Sequence, residues 1–310
     1  MPRKARMIVE GEAAVYHVMS RTALEGYVLG DVEKEYLFKL VKHYSSVYFA
    51  EILGFCLMGN HFHIVVRMHT GDKYSDDDVS RRFGLYYGND KIKRTPLPSQ
   101  ISALREKWQN LSEFMKEIKQ GFSRFYNKRH NRRGFFWSER FKSVLVENGE
   151  TLINCLAYVD LNPVRAGLVD RPGDYRWSSL GYHEQTGNKD NFLSLDFGLT
   201  ACDQIGNNQR FEKYRQFVYE AGSLQTEKDR SIAENIVAKE ANRGFKKNRV
   251  DRFRARTRYF TDSGIIGSKR FVNRLWQRLK SDDDNPCKIP TRIGGLDGLF
   301  SLKRLSENII

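Results

Sequence analysis

Apolar positions recur at two different spacings in the first 68 residues and predict a strand, a helix and two further strands. Residues 13–20 combine β-branched and aromatic side chains and predict the first strand. Apolar residues three and four positions apart predict a helix over residues 31–46. Residues 48–58 and 61–68 predict two strands joined by a Gly-Asn pair, which favours a tight antiparallel hairpin.

The pattern is less regular in the middle of the chain. Residues 69–110 begin with a polar stretch that carries an acidic run and two prolines. Such a composition predicts an insertion or a mobile loop. A helix should begin at about Ile101 or Leu111 and end near Lys128.

A strand, a helix and a mainly helical last third are predicted next. Residues 136–147 predict the strand. Residues 150–161 have helical periodicity that should stop at Pro163, because the residue before a proline disfavours helical geometry. The first unit should close near residue 185, so residues 1–185 and 186–310 are predicted to be two domains, the second one basic and mainly helical.

Composition narrows the class of partner. The 310 residues carry a formal net charge of +14, which favours a polyanion such as nucleic acid over the alternative of a merely basic soluble protein. No apolar run approaches the ~18 residues of a membrane span, and the basic N-terminus lacks the apolar region of a signal peptide. The four cysteines lie far apart, which argues against a thiolate zinc site or a disulfide framework and favours a reducing cytoplasm.

Two basic clusters are candidates for contact with phosphate groups. One surrounds the predicted helix end near Lys128, and the other has eight basic residues and one acidic residue between positions 243 and 258. A solvated helix face is the alternative, but the net charge of the chain favours phosphate contacts. The candidate DNA-binding residues are Arg124, Lys128, Arg129, Arg132, Arg133, Arg243, Lys246, Lys247, Arg249, Arg252 and Arg254.

The predicted strand over residues 61–68 begins with two histidines, His61 and His63. Because side chains alternate along a strand, both imidazoles should lie on one side, about 7 Å apart at their Cα atoms, with Phe62 on the other side. Such a pair suits two ligands of a divalent metal ion, although paired histidines also occur on strands without any metal. Another histidine, His17, lies in the first predicted strand and is interpreted as a core residue.

Tyr158 and Asn162 are four residues apart in the predicted helix that ends before Pro163. One helical turn separates them, so they should share a face of the helix. Taken alone, a tyrosine on such a face is usually part of a core, and an asparagine before a proline is usually a turn residue. Tyr126 is a rival candidate nucleophile because basic residues follow it, but it lacks the Asn-Pro context.

Several short motifs follow one another along the chain. They are Tyr16–Arg21, Leu57–His63, Gly134–Phe141, Tyr158–Leu168 and Trp177–Ser179. In this order they resemble the single-tyrosine HUH transposases of insertion sequences, and among these the REP-associated tyrosine transposases. The resemblance covers about residues 8–182. One departure is Gly59, where the family usually has proline, and it should loosen the turn without touching a ligand.

The resemblance implies a fold, a site and a substrate. It implies an α+β fold, in which an antiparallel sheet carries the histidines and helices pack on the sheet. It also implies that His61, His63 and Asn162 bind Mg²⁺ or Mn²⁺, and that Tyr158 is the nucleophile and forms a 5′-phosphotyrosine link. The expected partners are single-stranded and hairpin DNA, and the protein would act as a monomer or a homodimer.

Two other functions are compatible with these motifs. One is a protein derived from such a transposase that binds DNA or RNA hairpins without cutting them. The other is a different HUH chemistry, in replication initiation or plasmid relaxation. Proteins of that kind resemble this chain at the histidine strand but lack the Tyr158–Leu168 pattern.

Overall fold

The computed structural model describes seven stretches of the chain. They are residues 6–87, 95–199, 206–223, 232–241, 257–280, 288–293 and 298–305. The strands β1 to β7 are, in chain order, Ala14–Arg21, Ala50–Leu57, His61–Met68, Lys142–Val146, Ile265–Gly267, Thr291–Arg292 and Phe300–Ser301. The helices α1 to α11 are Asp31–Val47, Asp76–Tyr87, Pro98–Trp108, Leu111–Arg129, Glu150–Asp160, Asn162–Arg165, Ser179–Thr186, Asn207–Gly222, Glu234–Ala241, Thr257–Asp262 and Lys269–Leu279. No helix in these stretches combines the length and the apolar character needed to cross a bilayer.

The strands form one sheet in the order β2-β3-β1-β4-β5-β7-β6. Neighbouring strands are antiparallel, apart from β4 and β5, which pair in parallel. Helices precede and follow these strands and pack on the sheet. The prediction of an α+β fold with packed helices is therefore confirmed.

Strands β2 and β3 form the predicted antiparallel hairpin, and β3 begins at His61 as expected. The backbone N–H of Met58 donates to the backbone oxygen of His61 at 2.9 Å and closes the turn. A Cβ added to Gly59 in this turn would lie 2.7 Å from Cδ1 of Tyr27. Glycine at this position therefore allows the Tyr27 ring to lie directly on the turn.

Aromatic side chains of α1 and α4 cover one face of the sheet. Phe38 of α1 packs on Phe55 of β2 with ring centroids 5.4 Å apart. Phe122 of α4 lies 5.5 Å from Trp137, which in turn lies 5.3 Å from Phe62 of β3. This face therefore carries the large aromatic core, with Phe62 near its centre.

Helix α5 lies on the opposite face, to which His63 points because side chains alternate along β3. The helix comes very close to β2 at Gly54, where an added Cβ would lie 2.6 Å from Cδ2 of Leu156 and 3.2 Å from Oγ of Ser179. The absence of a side chain at Gly54 thus sets how near α5 can lie to the histidine strand.

Residues 69–110 contain two helices, α2 where an insertion or a mobile loop was predicted and α3 near the helix start expected at about Ile101. Helix α2 begins with three acidic residues at positions 76–78, and negative charge stabilises a helix N-terminus. Helix α3 begins at Pro98, and proline suits the first turn of a helix. The mobile loop was wrong for the residues of α2, whereas the alternative of an insertion stays a prediction.

Two other predicted elements differ in extent. The helix expected to end near Lys128 is α4, and a separate helix, α3, precedes it. The strand predicted over residues 136–147 is shorter, because only β4 joins the ladder, while Trp137 makes an isolated bridge with Thr22. The ends of these elements depend on which neighbouring segments offer hydrogen bonds.

The described residues of the last third form helices, as predicted, but they also add three strands to the sheet. Strand β5 pairs with β4, with Ile265 opposite Leu145, and β7 and β6 follow it. Helices α8 to α11 lie in the same part of the chain. The domain boundary near residue 185 stays a prediction, and strands from both sides of it share this one sheet.

Replacing Gly54 by alanine tests how closely α5 lies on the sheet. A methyl group there would overlap Leu156 in a packed layer, so Gly54→Ala should lower the free energy of unfolding by about 1–3 kcal/mol. Urea unfolding followed by circular dichroism measures the change. Gly84→Ala is the matched control, because a Cβ at Gly84 meets nothing within 4 Å. In a helix that change should stabilise by about 0.5–1 kcal/mol, and equal effects of the two substitutions would contradict the close approach.

Candidate active site

Strand β3 places His61 and His63 on one side of the sheet, as their spacing predicts. Their ring centroids lie 5.0 Å apart, with the ring planes at 84°. His63 is 1% exposed, whereas His61 at the start of the strand is partly exposed. Arg21 lies opposite His61 on β1 and adds a positive charge at this end of the pair.

Burial keeps both imidazoles neutral at physiological pH. Desolvation, together with the positive charge of Arg21, lowers the pKa of His61 to about 4. Desolvation also lowers the pKa of His63 well below its ordinary value, with smaller contributions from the neighbouring histidines and Arg21. Each ring therefore carries one proton, and one of its two nitrogens has a free lone pair.

Both rings use their Nδ1 atoms for hydrogen bonds. Nδ1 of His61 lies 2.7 Å from Oδ1 of Asn60. Nδ1 of His63 lies 2.9 Å from Nε2 of His17, whose own Nδ1 lies 2.6 Å from the backbone oxygen of Phe260. Within the part of the chain that the structure describes, the Nε2 atoms of His61 and His63 have no hydrogen-bond partner. These two nitrogens are the ones available to a metal ion.

Tyr158 lies on α5 against His63, and its side chain is only 6% exposed. Its ring centroid is 5.7 Å from that of His63 and 5.8 Å from that of His17, with the rings edge to face. The ring of Phe260 stacks on it at 5.4 Å. The fold thus brings the tyrosine that was predicted to be the nucleophile beside His63.

Opposing effects act on the phenol of Tyr158. Burial raises its pKa above the ordinary value, whereas the charge of Arg165 and a hydrogen bond from the Asn162 side chain lower it. The guanidinium carbon of Arg165 lies 5.4 Å from the ring centroid. Because burial dominates, the phenol is protonated at neutral pH and needs additional positive charge nearby before it can act as a nucleophile.

Asn162 begins α6, one turn after Tyr158. Its Nδ2 donates to the backbone oxygens of Tyr158 at 2.9 Å and Val159 at 3.2 Å. These bonds occupy the amide nitrogen, while Oδ1 accepts no hydrogen bond from another described residue. The amide oxygen is an atom type that Mg²⁺ and Mn²⁺ accept as a ligand.

The available donors fit a divalent cation that keeps much of its hydration. Among the residues described, no group of three or more His, Cys, Asp or Glu side chains is arranged to hold a metal ion. The chain would instead offer two imidazole nitrogens and one amide oxygen. Mg²⁺ prefers six ligands and usually retains several waters, so three protein ligands would leave positions for water, although Mg²⁺ prefers oxygen to imidazole nitrogen. Metal binding by His61, His63 and Asn162 stays a prediction.

A buried carboxylate holds the C-terminal end of α5. Asp160 accepts hydrogen bonds from the hydroxyl of Ser179 at 2.7 Å, the N–H of Leu180 at 2.9 Å and the hydroxyl of Tyr214 at 2.5 Å. These bonds join α5 to α7 and α8 and fix the turn of helix that carries Tyr158. Burial raises the pKa of Asp160 to about 6, although the hydrogen bonds oppose this shift.

Tyr126, the rival nucleophile, is a core residue on α4. It is 5% exposed, and its ring stacks on His130 at 4.1 Å and packs against Phe136 at 4.3 Å. Helix α4 covers the face of the sheet opposite to His63. The structure therefore places Tyr126 in the aromatic layer, away from the histidine pair.

The basic residues predicted to contact DNA fall into two groups. Those exposed around the C-terminal end of α4 are Arg124, Lys128, Arg129 and Arg133. Arg129 also pairs with Glu33 at 3.2 Å, and Arg132 is partly buried with its guanidinium carbon 6.0 Å from the ring centroid of Tyr126. The predicted residues that lie outside the described stretches are Arg243, Lys246, Lys247, Arg249, Arg252 and Arg254.

His17, Arg165 and Phe260 are neighbours of the site that the sequence did not single out. His17 reaches His63 because β1 pairs with β3 in a register that sets Met19 opposite His63. One signal in the sequence could have indicated His17. Side chains alternate along β1, so residues 17, 19 and 21 lie on the same side of the strand. Nothing in the sequence indicates which strand β1 will pair with, or that Phe260 will lie beside it.

Comparison with known proteins does not assign the chain to a family. No protein-family model and no curated protein matches it. A solved structure of a REP-associated tyrosine transposase bound to a REP hairpin is similar over 60% of this chain and 87% of that chain, with 15% sequence identity and a TM-score of 0.41. A likeness of this size carries no functional argument, so family membership stays a prediction. Any function has to be argued from the geometry of the candidate site.

The raised pKa of Asp160 predicts a pH-dependent difference in stability. The folded protein keeps this proton up to about pH 6, whereas the unfolded chain loses it near 3.8, so the carboxyl lowers stability as pH rises between these values. Asp160→Asn removes the titration and keeps an oxygen acceptor. Relative to the parent protein, its free energy of unfolding should rise by up to about 3 kcal/mol from pH 4 to 6.5, at ~1.4 kcal/mol per pKa unit. Urea unfolding of both proteins measures this, and a difference independent of pH would contradict the raised pKa.

Proposed function

We propose that the protein is a metal-dependent single-stranded DNA endonuclease and strand transferase with Tyr158 as its nucleophile. One observation carries the proposal. The Nε2 atoms of His61 and His63 form no hydrogen bond with any described residue. Tyr158 packs against the strand that carries these two histidines, and Asn162 follows Tyr158 by one helical turn. Ligands for a cation next to a nucleophile are one set of groups that can cleave a phosphodiester.

Tyr158 would attack the phosphorus of a phosphodiester in the DNA backbone. The bond between the phenolic oxygen and phosphorus forms, and the bond between phosphorus and the 3′ oxygen breaks. The phenol loses one proton, and the departing 3′ oxygen takes one up, which leaves a 5′-phosphotyrosine link and a 3′ hydroxyl. Because a phenolate is also a good leaving group, a 3′ hydroxyl can reverse the step and join strands without ATP.

The residues around Tyr158 have separable roles. A divalent cation, when bound, would polarise the phosphate and stabilise the charge that develops on it. His61, His63 and Asn162 would hold that cation. Arg165 favours the phenolate because its positive charge lies near the ring, and so it eases removal of the phenol proton.

The proposed substrate is single-stranded or hairpin DNA. Arg124, Lys128 and Arg133 are exposed and offer positive charge to phosphate groups. Phe135 is 79% exposed, and together with Arg124 and Arg140 it lines an open groove of about 410 Å³. An exposed aromatic ring between basic residues suits the stacking of an unpaired base.

The burial of Tyr158 favours a second candidate function, a protein that binds hairpins without cutting them. The tyrosine is 6% exposed and Phe260 stacks on its ring, so little of this side chain is open to a DNA phosphate. Such a protein would use the same basic residues to bind DNA. Formation of a covalent protein–DNA adduct distinguishes the two functions.

Tyr158→Phe should abolish covalent attachment to DNA. With single-stranded hairpin oligonucleotides and Mn²⁺, the parent protein should give an adduct that survives a denaturing gel, and the variant should give none, because it lacks the attacking oxygen. Tyr126→Phe is the matched control and should keep the adduct. An adduct that persists in Tyr158→Phe and is lost in Tyr126→Phe would overturn the assignment. Hairpin binding by the parent protein with no adduct would favour the binding protein.

Alanine at His61 or His63 should stop cleavage and spare most DNA binding. Loss of a cation ligand should lower the cleavage rate by about 100-fold or more. Gel-shift affinity for the hairpin should change little, because the basic residues are still present. Treatment of the parent protein with EDTA should have the same effect, and Mn²⁺ should reverse it. His43→Ala, on an exposed part of α1, is the control. Cleavage that survives both histidine substitutions would exclude a metal role for the pair.

A further inference from the structure

Two hydrogen bonds in series link helix α10 to the histidine strand through His17. Nδ1 of His17 lies 2.6 Å from the backbone oxygen of Phe260, and its Nε2 lies 2.9 Å from Nδ1 of His63. The two imidazole rings are stacked, with centroids 5.1 Å apart and planes at 18°. His17 is 1% exposed, so both hydrogen bonds are shielded from water.

The direction of each bond follows from the chemistry of its partners. The carbonyl oxygen of Phe260 can only accept, so the proton of His17 lies on Nδ1. A neutral imidazole has a single N–H, so Nε2 of His17 is an acceptor and Nδ1 of His63 must donate to it. His63 then carries its proton on Nδ1 and has a lone pair on Nε2. His17 is 1% exposed, and its ring nitrogens contact a carbonyl oxygen and another imidazole rather than a carboxylate, so the neutral ring is the form that fits this buried site.

We propose that His17 is a positioning residue that fixes His63 in the tautomer protonated on Nδ1 and thereby presents the Nε2 lone pair to a divalent cation. That a cation binds to His63 rests on the proposed function, whereas the tautomer of His63 is inferred from the hydrogen bonds of His17. An imidazole without such a partner populates both tautomers, and only one of them leaves Nε2 free for a metal. Partners of this kind orient metal-binding histidines and raise their basicity.

His61 reaches the same state by a separate route. Its Nδ1 lies 2.7 Å from Oδ1 of Asn60, an atom that can only accept. His61 therefore also carries its proton on Nδ1 and has a free Nε2. The residue that orients His61 is its neighbour in the turn, whereas the one that orients His63 comes from a different strand.

This arrangement gives the last third of the chain a part in the site. The backbone oxygen of Phe260 sets the orientation of His17, and the ring of the same residue stacks on Tyr158. Helix α10 packs against β1, β4 and α5, so its position is fixed by the elements that carry the site. The docking of α10 and the tautomer of His63 are thus coupled.

Nitrogen-15 NMR of the histidine rings in the metal-free, full-length protein tests the tautomer. The His63 signals, identified by their loss in His63→Gln, should show a protonated Nδ1 and an unprotonated Nε2. In His17→Phe, which keeps a flat ring without an acceptor, the His63 signals should shift toward the other tautomer. In His17→Gln, whose amide oxygen can accept, protonated Nδ1 should persist. Protonated Nε2 on His63 in the parent protein would overturn the proposal.

Calorimetric titration with Mn²⁺ in the absence of DNA tests the consequence for the cation. His17→Phe should weaken Mn²⁺ binding by about 10–100-fold, and His17→Gln should recover most of the affinity. Unchanged affinity in His17→Phe would overturn the positioning role while leaving the proposed function intact. If the parent protein shows the expected tautomer and binds no Mn²⁺, the cation and the proposed function fail together, and the orientation of His63 by His17 is upheld.

Discussion

The candidate site depends on how closely helix α5 lies on the sheet. Glycine at position 54 leaves room for Leu156 almost against the backbone of β2, and the hydrogen bonds of Asp160 hold the far end of the helix. These two constraints keep the ring of Tyr158 5.7 Å from the ring of His63. A helix displaced outward by one side chain would move Tyr158 away from His63.

Burial has opposite consequences for the histidines and for Tyr158. Desolvation disfavours the charged form, so it keeps His61 and His63 neutral and able to bind a cation, but it also keeps Tyr158 protonated and weak as a nucleophile. Positive charge resolves this conflict, because Arg21 favours neutral imidazole and Arg165 favours phenolate. A bound cation would act in the same direction as Arg165 on the phenol.

The site is assembled from segments that are remote in sequence. The hairpin of β2 and β3 supplies the histidine pair, β1 supplies His17, and α5 supplies Tyr158. Helix α10 contributes Phe260, which contacts both His17 and Tyr158. The last third of the chain, which could be regarded as an appendage for DNA binding, therefore shares its sheet with the site and touches the nucleophile.

Local features of this protein follow from the sequence by itself. The start of β3, the shared side of His61 and His63, and the single turn between Tyr158 and Asn162 depend on residues two or four positions apart, and side-chain periodicity specifies such relations. Helix α2 and the strands of the last third were missed, because short polar or apolar runs take their structure from the segments they pack on. Only the tertiary structure decided that β1 lies between β3 and β4, that His17 orients His63 and that Phe260 stacks on Tyr158, because pairing between distant segments depends on the packing of the whole core.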